Sequence, residues 1–112
     1  MIENQKLVRI FISESGKWKN EPLYMAIINL CREKGIKGST AIRGIAGYGL
    51  HNKLHTGRVL RLSGDLPLVV EIVDSEEKIE AILPAIDDML DGGLITLENI
   101  EVFRQDREGN NA

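Results

Sequence analysis

The feature that most constrains the fold is a strand-like segment followed by a helix-like segment, a succession that occurs twice. The strand-like segments are rich in β-branched and other apolar residues, and the helix-like segments carry apolar residues at helical spacing. In chain order the candidates are a strand at 6–13, a helix at 23–31, strands at 39–45 and 68–73, a helix at 79–90 and a strand within 95–103.

This β-α-β-β-α-β order predicts an α+β fold of the ferredoxin-like type, in which two helices pack on one face of a four-stranded antiparallel sheet. A chain of 112 residues has room for one such domain. We therefore expect a single domain over residues 1–104 and a flexible polar tail over residues 105–112.

Both predicted helices carry end signals. Asn20 is a candidate N-cap, Pro22 fits a first helical turn, and Gly35 is expected to end the first helix. For the second helix, Asp74 with Glu77 three residues later matches the capping-box pattern. These signals place each helix directly after a strand or its turn.

The outer face of the predicted sheet is unusually apolar. In this topology the first and third strands lie side by side at the centre, and their helix-facing residues are Val8, Ile10, Ile12, Leu68, Val70 and Ile72. The six positions left on the open face are Leu7, Arg9, Phe11, Val69, Glu71 and Val73. Four of them are apolar, so we expect another copy of the chain to cover this face, with Arg9 and Glu71 paired there.

Basic and acidic residues occupy different parts of the chain. Residues 34–64 contain six Lys or Arg and no acidic residue, whereas residues 65–101 contain eleven carboxylates and one lysine. A solvated surface can show such a split by chance; the alternative is a cationic segment that meets an anion such as phosphate. The net charge of −3 and the single aromatic residue of the basic stretch, Tyr48, argue against a nucleic-acid partner.

A glycine-rich run opens the long connection between the second and third strands. Gly44, Gly47 and Gly49 fit a flexible hairpin turn, and they fit equally a backbone cradle for phosphate. The neighbouring cations that could balance a phosphate charge are Arg43, Lys53, Arg58 and Arg61. Residues 57–62 are candidates for an extension of the strands into a hairpin arm.

The sequence holds no recognisable catalytic constellation. It contains no Gly-x-Ser-x-Gly, Walker loop or His-Glu-x-x-His. His51 and His55 are four residues apart, but glycine-rich surroundings favour exposed loop histidines over a metal site. Cys31 lies on an apolar helical stripe, where a free cysteine acts as a small apolar filler. We predict a protein that is not an enzyme and holds no metal.

A cytoplasmic location is expected. The first residues lack the apolar stretch of a secretory signal, and no window reaches the roughly 20 apolar residues of a membrane span. One cysteine cannot form an internal disulfide, which fits a reducing compartment.

Several short motifs, taken in order, resemble the PII signal-transduction proteins and, more closely, the uncharacterised bacterial PII-like proteins. The motifs are Gly35-Ile36-Lys37-Gly38-Ser39-Thr40, Gly44-Ile45-Ala46-Gly47-Tyr48-Gly49, Leu66-Pro67 and Glu71-Ile72-Val73, and the resemblance covers residues 5–104. It implies a ferredoxin-like subunit and a homotrimer whose sheets face inward, with clefts between subunits that bind adenine nucleotides. It also implies that the loop at 49–65 docks on a target enzyme or membrane transporter.

The resemblance also implies ligand-binding positions. Gly47, Tyr48 and Gly49 match the Gly-Phe-Gly that begins the PII loop, and His51 falls where PII proteins have a glutamine. Gly92 and Gly93 stand near the glycine-rich nucleotide loop after the second helix.

The sequence departs from the PII pattern at three places. Gly93-Leu94-Ile95-Thr96 replaces the Gly-Asp-Gly-Lys that holds triphosphate oxygens, and Leu68 replaces the lysine after Leu-Pro. No tyrosine lies between residues 50 and 66. A smaller anion, a different nucleotide, or a ligand held by Arg58, Arg61 or Arg104 is therefore expected instead of ATP held through the usual contacts.

These observations favour a regulatory homotrimer that senses a small anionic ligand and signals through residues 49–65. No cofactor is certain, and an adenine nucleotide is the candidate ligand. The alternative is a metal- or small-molecule-binding trimer of the divalent-cation-tolerance type, which shares the fold. In that case His51 and His55 would matter more for binding than the arginines. An enzyme acting on a phosphorylated compound has no catalytic group that we can name.

Overall fold

The computed structural model describes residues 1–48, 54–56 and 66–104, with residues 54–56 described by their backbone alone. The strands are β1 (Ile2–Ser13), β2 (Lys17–Trp18), β3 (Glu21–Pro22), β4 (Gly38–Arg43), β5 (Ala46–Tyr48), β6 (Leu54–Thr56), β7 (Pro67–Asp74) and β8 (Leu94–Phe103). The helices are α1 (Leu23–Glu33) and α2 (Glu76–Met89). The predicted tail at 105–112 and the predicted arm at 57–62 lie outside the described residues.

The main sheet has four antiparallel strands in the order β4-β7-β1-β8. The two central strands are β1 and β7, which pair so that Arg9 lies opposite Glu71. With two helices over the sheet, this is the ferredoxin-like arrangement, and the predicted fold class is confirmed.

The core lies between the sheet and the two helices. The predicted helix-facing residues of β1 and β7 are all buried, as are apolar residues of both helices, so the strand alternation is confirmed. The buried members are Val8, Ile10, Ile12, Leu68, Val70 and Ile72 from the central strands and Leu23, Ile27, Cys31, Ile79, Ile82 and Ile86 from the helices.

The first strand is longer than its apolar pattern predicted. β1 begins at Ile2, because Glu3, Asn4 and Gln5 pair with residues 100–102 of β8. Backbone hydrogen bonds form this ladder without requiring apolar side chains, so periodicity alone does not reveal it. The extension leaves β1 and β8 as a two-stranded ribbon beyond the end of β7.

The predicted cap of α1 was wrong. Asn20 has a φ of 69° and Lys19 a φ of 46°, and together they form the two-residue turn between β2 and β3. The helix begins after Pro22 with no side-chain cap. The expected end is confirmed, because Gly35 follows the last turn with a φ of 75°, a conformation that glycine adopts without steric cost.

The predicted N-cap of α2, Asp74, was one residue too early in the chain. Ser75 is the N-cap, and its Oγ accepts a hydrogen bond from the Lys78 amide at 3.3 Å. Asp74 is instead the last residue of β7, and its carboxylate is committed to other donors.

Asp74 joins two turns at one end of the sheet. The residue is only 2% exposed, and its carboxylate accepts hydrogen bonds from the backbone amides of Lys37 at 3.0 Å and Ser75 at 2.7 Å. Lys78 makes a second link, since its Nζ donates to the Gly35 carbonyl at 2.9 Å. The turn from α1 to β4 is thereby held against the start of α2.

Replacing Asp74 by asparagine should lower the free energy of unfolding by about 1–3 kcal/mol, because the side-chain amide cannot accept from both backbone amides. The control is Asp88→Asn on the exposed surface of α2, which should change stability by less than about 0.5 kcal/mol. Urea unfolding of both variants measures the difference. Equal stability of the two variants would contradict the role assigned to Asp74.

Candidate functional site

A pocket of about 530 Å³ lies where the glycine-rich connection leaves the sheet. This volume is in the range of small-molecule sites. Its lining comprises Phe11, Ile12, Ser13, Gly44, Ala46, Gly47, Tyr48, Pro67, Leu68, Val69, Gly92 and Leu94. Strands β1, β5 and β7, the turn after α2 and the start of β8 therefore meet at one place.

The floor of the pocket is one row of side chains across three strands. Val69 of β7 and Leu94 of β8 both pair with Phe11 of β1, so all three lie on the open face of the sheet. Tyr48 stands beside them and is 77% exposed. The described lining thus offers apolar and aromatic surface.

Three of the predicted ligand positions are brought together here. Gly47, Tyr48 and Gly92 all line the pocket. Gly93 lies next to it, because a Cβ at this position would stand 3.3 Å from the Phe11 carbonyl oxygen. Their part in ligand binding stays a prediction.

The local geometry favours glycine at two positions. The Gly44 amide donates to the Pro67 carbonyl at 2.7 Å, and a Cβ on Gly44 would lie 3.1 Å from the Pro67 Cγ. Gly92 has a φ of 85°, which side-chain-bearing residues rarely adopt. Glycine thus allows the pocket wall to approach β7 and the chain to reverse before β8.

The predicted phosphate cradle is not formed by Gly44 and Arg43. The Gly44 amide is already used by Pro67, and the Arg43 guanidinium forms an ion pair with Glu14. Among the residues that the structure describes, no charged side chain lines the pocket. The described lining therefore supplies no side-chain cation for an anion at this place.

Arg104 lies far from the pocket within one chain. Its guanidinium is 3.3 Å from Glu3, and its amide donates to the Met1 carbonyl at 2.9 Å. This is the opposite end of the β1–β8 ladder, roughly 30 Å away at 3.3 Å per residue. Four other predicted positions, Gly49, His51, Arg58 and Arg61, lie outside the described residues.

The pocket residues that the sequence analysis did not propose include Pro67, Leu94, Phe11 and Val69. For Phe11 and Val69 the sequence held a partial signal, because strand alternation placed both on the open face. Leu94, at the start of β8, supplies apolar surface to the pocket.

The charged pair predicted for the open face is confirmed and has a third member. Arg9 Nε lies 3.0 Å from Glu71 Oε2, and Arg9 Nη1 lies 2.7 Å from Glu98 Oε1. The hydrogen bond to Glu71, reinforced by both carboxylates, raises the pKa of the Arg9 guanidinium above its ordinary value. The periodicity of the last strand did not reveal Glu98 as a partner.

Neither a metal-binding cluster nor an exposed thiol is present among the described residues. They contain no group of three or more His, Cys, Asp or Glu side chains that could hold a metal ion. Cys31 is buried in α1, and burial raises the pKa of its thiol to about 11, so it is a neutral filler near neutral pH. No helix within the described ranges is long and apolar enough to cross a membrane.

The family is shown by comparison with protein-family models. The model of DUF190, described as "Uncharacterized ACR, COG1993", matches residues 5–102. The chain belongs to the DUF190 family. A UPF0166 protein of Aquifex aeolicus is 41% identical over 102 residues, covering 91% of this chain and 96% of that protein. A UPF0166 protein of Methanocaldococcus jannaschii is 33% identical over 100 residues, covering 88% and 92%.

Solved structures show the same fold in PII-like proteins. CPII from Thiomonas intermedia K12 bound to ADP and bicarbonate superimposes with a TM-score of 0.70 at 20% identity, covering 93% of each chain. CPII bound to ADP, AMP and acetate gives a TM-score of 0.67 at 17% identity, also covering 93% of each chain. This DUF190 chain therefore has a PII-like fold, which confirms the resemblance seen in its motifs.

The neutral state of Cys31 gives this DUF190 protein a specific pH dependence. Its thiol has a folded pKa of about 11 against an ordinary value of 9.0, so the folded state binds more protons between these values. The stability linked to Cys31 is therefore present below about pH 9 and lost as pH rises toward 11. When the pH is raised from about 8 to about 10, the free energy of unfolding should therefore fall less in Cys31→Ala than in the parent chain.

Urea unfolding at both pH values measures this difference. A thiol reagent provides the control, because it should label Cys31 rapidly in denaturant and slowly in the folded protein. Fast labelling of the folded protein at neutral pH would contradict the buried filler role.

Proposed function

We propose that this protein is a PII-like regulatory protein without enzymatic activity, a cytoplasmic homotrimer that senses a small anionic ligand in clefts between subunits. The observation that carries the proposal is the pocket that joins Gly47, Tyr48 and Gly92 at the base of the segment 49–65, on a PII-like fold. The ligand biases the arrangement of this segment, which then docks on a target enzyme or membrane transporter. Such a bias requires the ligand to bind one arrangement better than another.

The open face of the sheet supports assembly. Leu7, Val69 and Val73 are half-buried and Phe11 is 38% exposed, although no element of the same chain is described over them. Apolar side chains on a sheet face are stabilised when a second surface removes them from water. The pocket lies on this face, so a neighbouring copy would close it and turn it into a cleft between subunits.

The described lining suits one half of the ligand. An adenine ring could pack against Phe11, Leu94 and Tyr48, because apolar and aromatic surface receives a planar base. The anionic half would need cations, for which Arg58 and Arg61 of the adjoining segment are the nearest in sequence. Solved CPII structures carry ADP, AMP and bicarbonate, which makes these compounds the first ligands to test.

A second candidate is a metal- or small-molecule-binding trimer of the divalent-cation-tolerance type without a signalling role. The observation that favours it is the β5–β6 pairing, which sets the backbone of His55 directly opposite Gly47 at the pocket. His51 lies four residues earlier, and imidazole is the commonest side-chain ligand of zinc and copper.

If the protein is a homotrimer, light scattering at micromolar concentration should give a molecular mass three times that of one chain. Phe11→Asp should reduce this mass to that of one chain, because it places a charge in the contact between copies. The matched control is Met25→Asp on α1, whose parent side chain is 37% exposed against 38% for Phe11. A single-chain mass for the parent protein, or loss of assembly in both variants, would contradict the proposed trimer.

Ligand sensing predicts a rise in the thermal midpoint with ADP, AMP or bicarbonate. Ligand at 100 times its dissociation constant stabilises a protein by about 2.7 kcal/mol. The double variant Arg58→Ala, Arg61→Ala should lose the shift with a nucleotide, whereas Lys17→Ala, Arg32→Ala, with the same change in charge, should keep it.

The alternative gives a different pattern in the same assay. A shift with zinc or copper alone that His51→Ala abolishes would favour the metal-binding trimer. Steady turnover of any of these compounds would contradict the proposed absence of enzymatic activity.

A further inference from the structure

Three described contacts hold the base of the connection between β4 and β7. Strand β4 ends at Arg43, and the chain returns to the sheet at Leu66 and Pro67. The Glu14 amide donates to the Leu66 carbonyl at 2.7 Å. The Gly44 amide donates to the Pro67 carbonyl, also at 2.7 Å. The Arg43 guanidinium forms an ion pair with the Glu14 carboxylate. We call these five residues the base clamp.

The ion pair of the base clamp joins the two strands that flank β7. Strand β7 lies between β1 and β4, and Leu68 pairs with Ile12 on one side and with Arg43 on the other. Glu14 follows Ile12 by two residues, so strand alternation places it on the same side of the sheet as Arg43. Its carboxylate therefore reaches Arg43 at the place where the chain re-enters the sheet.

The base clamp connects directly to the ligand pocket. Gly44 and Pro67 both line the pocket, whereas Glu14 and Arg43 are not part of its described lining. A Cβ on Gly44 would stand 3.1 Å from the Pro67 Cγ, so the two segments meet closely and form this wall together. The two amide hydrogen bonds are backbone contacts that many sequences can form. The ion pair, by contrast, depends on the identities of Glu14 and Arg43.

An ion pair of this exposure affects local order more than overall stability. The Glu14 side chain is 21% exposed and the Arg43 side chain is 59% exposed. Pairs at a protein surface add little to the free energy of unfolding. A local opening breaks only a few contacts, so the loss of one of them raises the population of the open form noticeably.

We propose that Glu14 is a positioning residue of the ligand pocket, which holds Gly44 against Pro67 through its ion pair with Arg43. The inference rests on the proposed function for the ligand, and it adds a residue outside the pocket that sets the affinity. Molecules in which the base clamp is open lack a complete pocket wall. The apparent affinity for the ligand is therefore reduced by the fraction of molecules in which the site is formed.

The test uses two substitutions that remove the ion pair with opposite changes in charge. Glu14→Gln removes a negative charge, and Arg43→Gln removes a positive one. Both should weaken the binding of ADP by about threefold, measured by isothermal titration calorimetry, because each opens the same clamp. Net charge alone would instead strengthen the binding of this anion in Glu14→Gln. The double variant should bind ADP no more weakly than either single variant, because both substitutions remove one shared contact.

The matched control is Glu76→Gln, which breaks the Lys6–Glu76 ion pair. That pair also joins a side chain that is 22% exposed to one that is 64% exposed. It lies at the opposite end of β7, since Lys6 is paired with Asp74. Because Glu76→Gln changes the net charge as Glu14→Gln does, it should bind ADP at least as tightly as the parent chain.

Amide hydrogen exchange tests the base clamp without any ligand. In Glu14→Gln the Gly44 amide should exchange about threefold faster than in the parent chain, because its hydrogen bond to Pro67 opens more often. The amide of Ile72, in the buried part of β7, should exchange at the parent rate, and urea unfolding should change little. A general loss of stability would instead accelerate both amides.

The outcomes separate this inference from the proposed function. A parent chain that binds neither ADP, AMP nor bicarbonate overturns the proposed function, whereas an unchanged exchange rate of the Gly44 amide overturns the clamp whether or not a ligand binds. A parent chain that binds ADP, with unchanged affinity in Glu14→Gln, leaves the proposed function standing and overturns the positioning role. Weaker binding in Glu14→Gln but not in Arg43→Gln also overturns it, because the ion pair would then not be the cause.

Discussion

The antiparallel pairing of β1 with β7 is the interaction on which the rest of the structure depends. Its register, with Arg9 opposite Glu71, decides which residues of both strands face the helices. Because side chains alternate along a strand, a shift of one residue would turn the isoleucines and valines of the core outward. The same register places Phe11 beside Val69 and thus builds the pocket floor.

The two faces of this sheet differ in how far the chain itself buries them. The inner face is closed within one chain, with Ile10 and Ile72 completely buried against the helices. The outer face is left half-buried by its own chain, and it holds both the pocket and the Arg9 cluster. In the proposed regulator, ligand binding and contact between copies would use the same surface, so that one could influence the other.

Much of the fold could be predicted from the sequence because the strongest patterns are local. Alternation in β1 and β7 and helical spacing in α1 and α2 are repeated signals, and Gly35 ends a helix for a local steric reason. The helix starts were predicted less well. Asn20 and Asp74 have the chemistry of capping residues, but a hairpin turn takes the first and contacts with Lys37 and Ser75 take the second.

Local sequence patterns predicted only part of the candidate site. Gly47, Tyr48 and Gly92 could be singled out by motif, whereas Pro67 and Leu94 join them only because distant segments meet. Arg43 has the charge to balance an anion at the glycine-rich run, but its guanidinium is paired with Glu14, a residue distant in sequence. Glu98 contacts Arg9 because β8 lies beside β1 in the sheet. The residue pattern within the last strand does not predict this neighbour.

By itself, the sequence determined the order of the two helices and the four strands of the main sheet, the fold class and the apolar character of both sheet faces, since each follows from periodicity within short segments. The tertiary structure alone decided which polar groups are already engaged, where the pocket lies and that Glu98 joins Arg9 and Glu71 on the open face. These depend on contacts between residues far apart in the chain, whose partners are chosen by strand register and packing and not by neighbours in sequence.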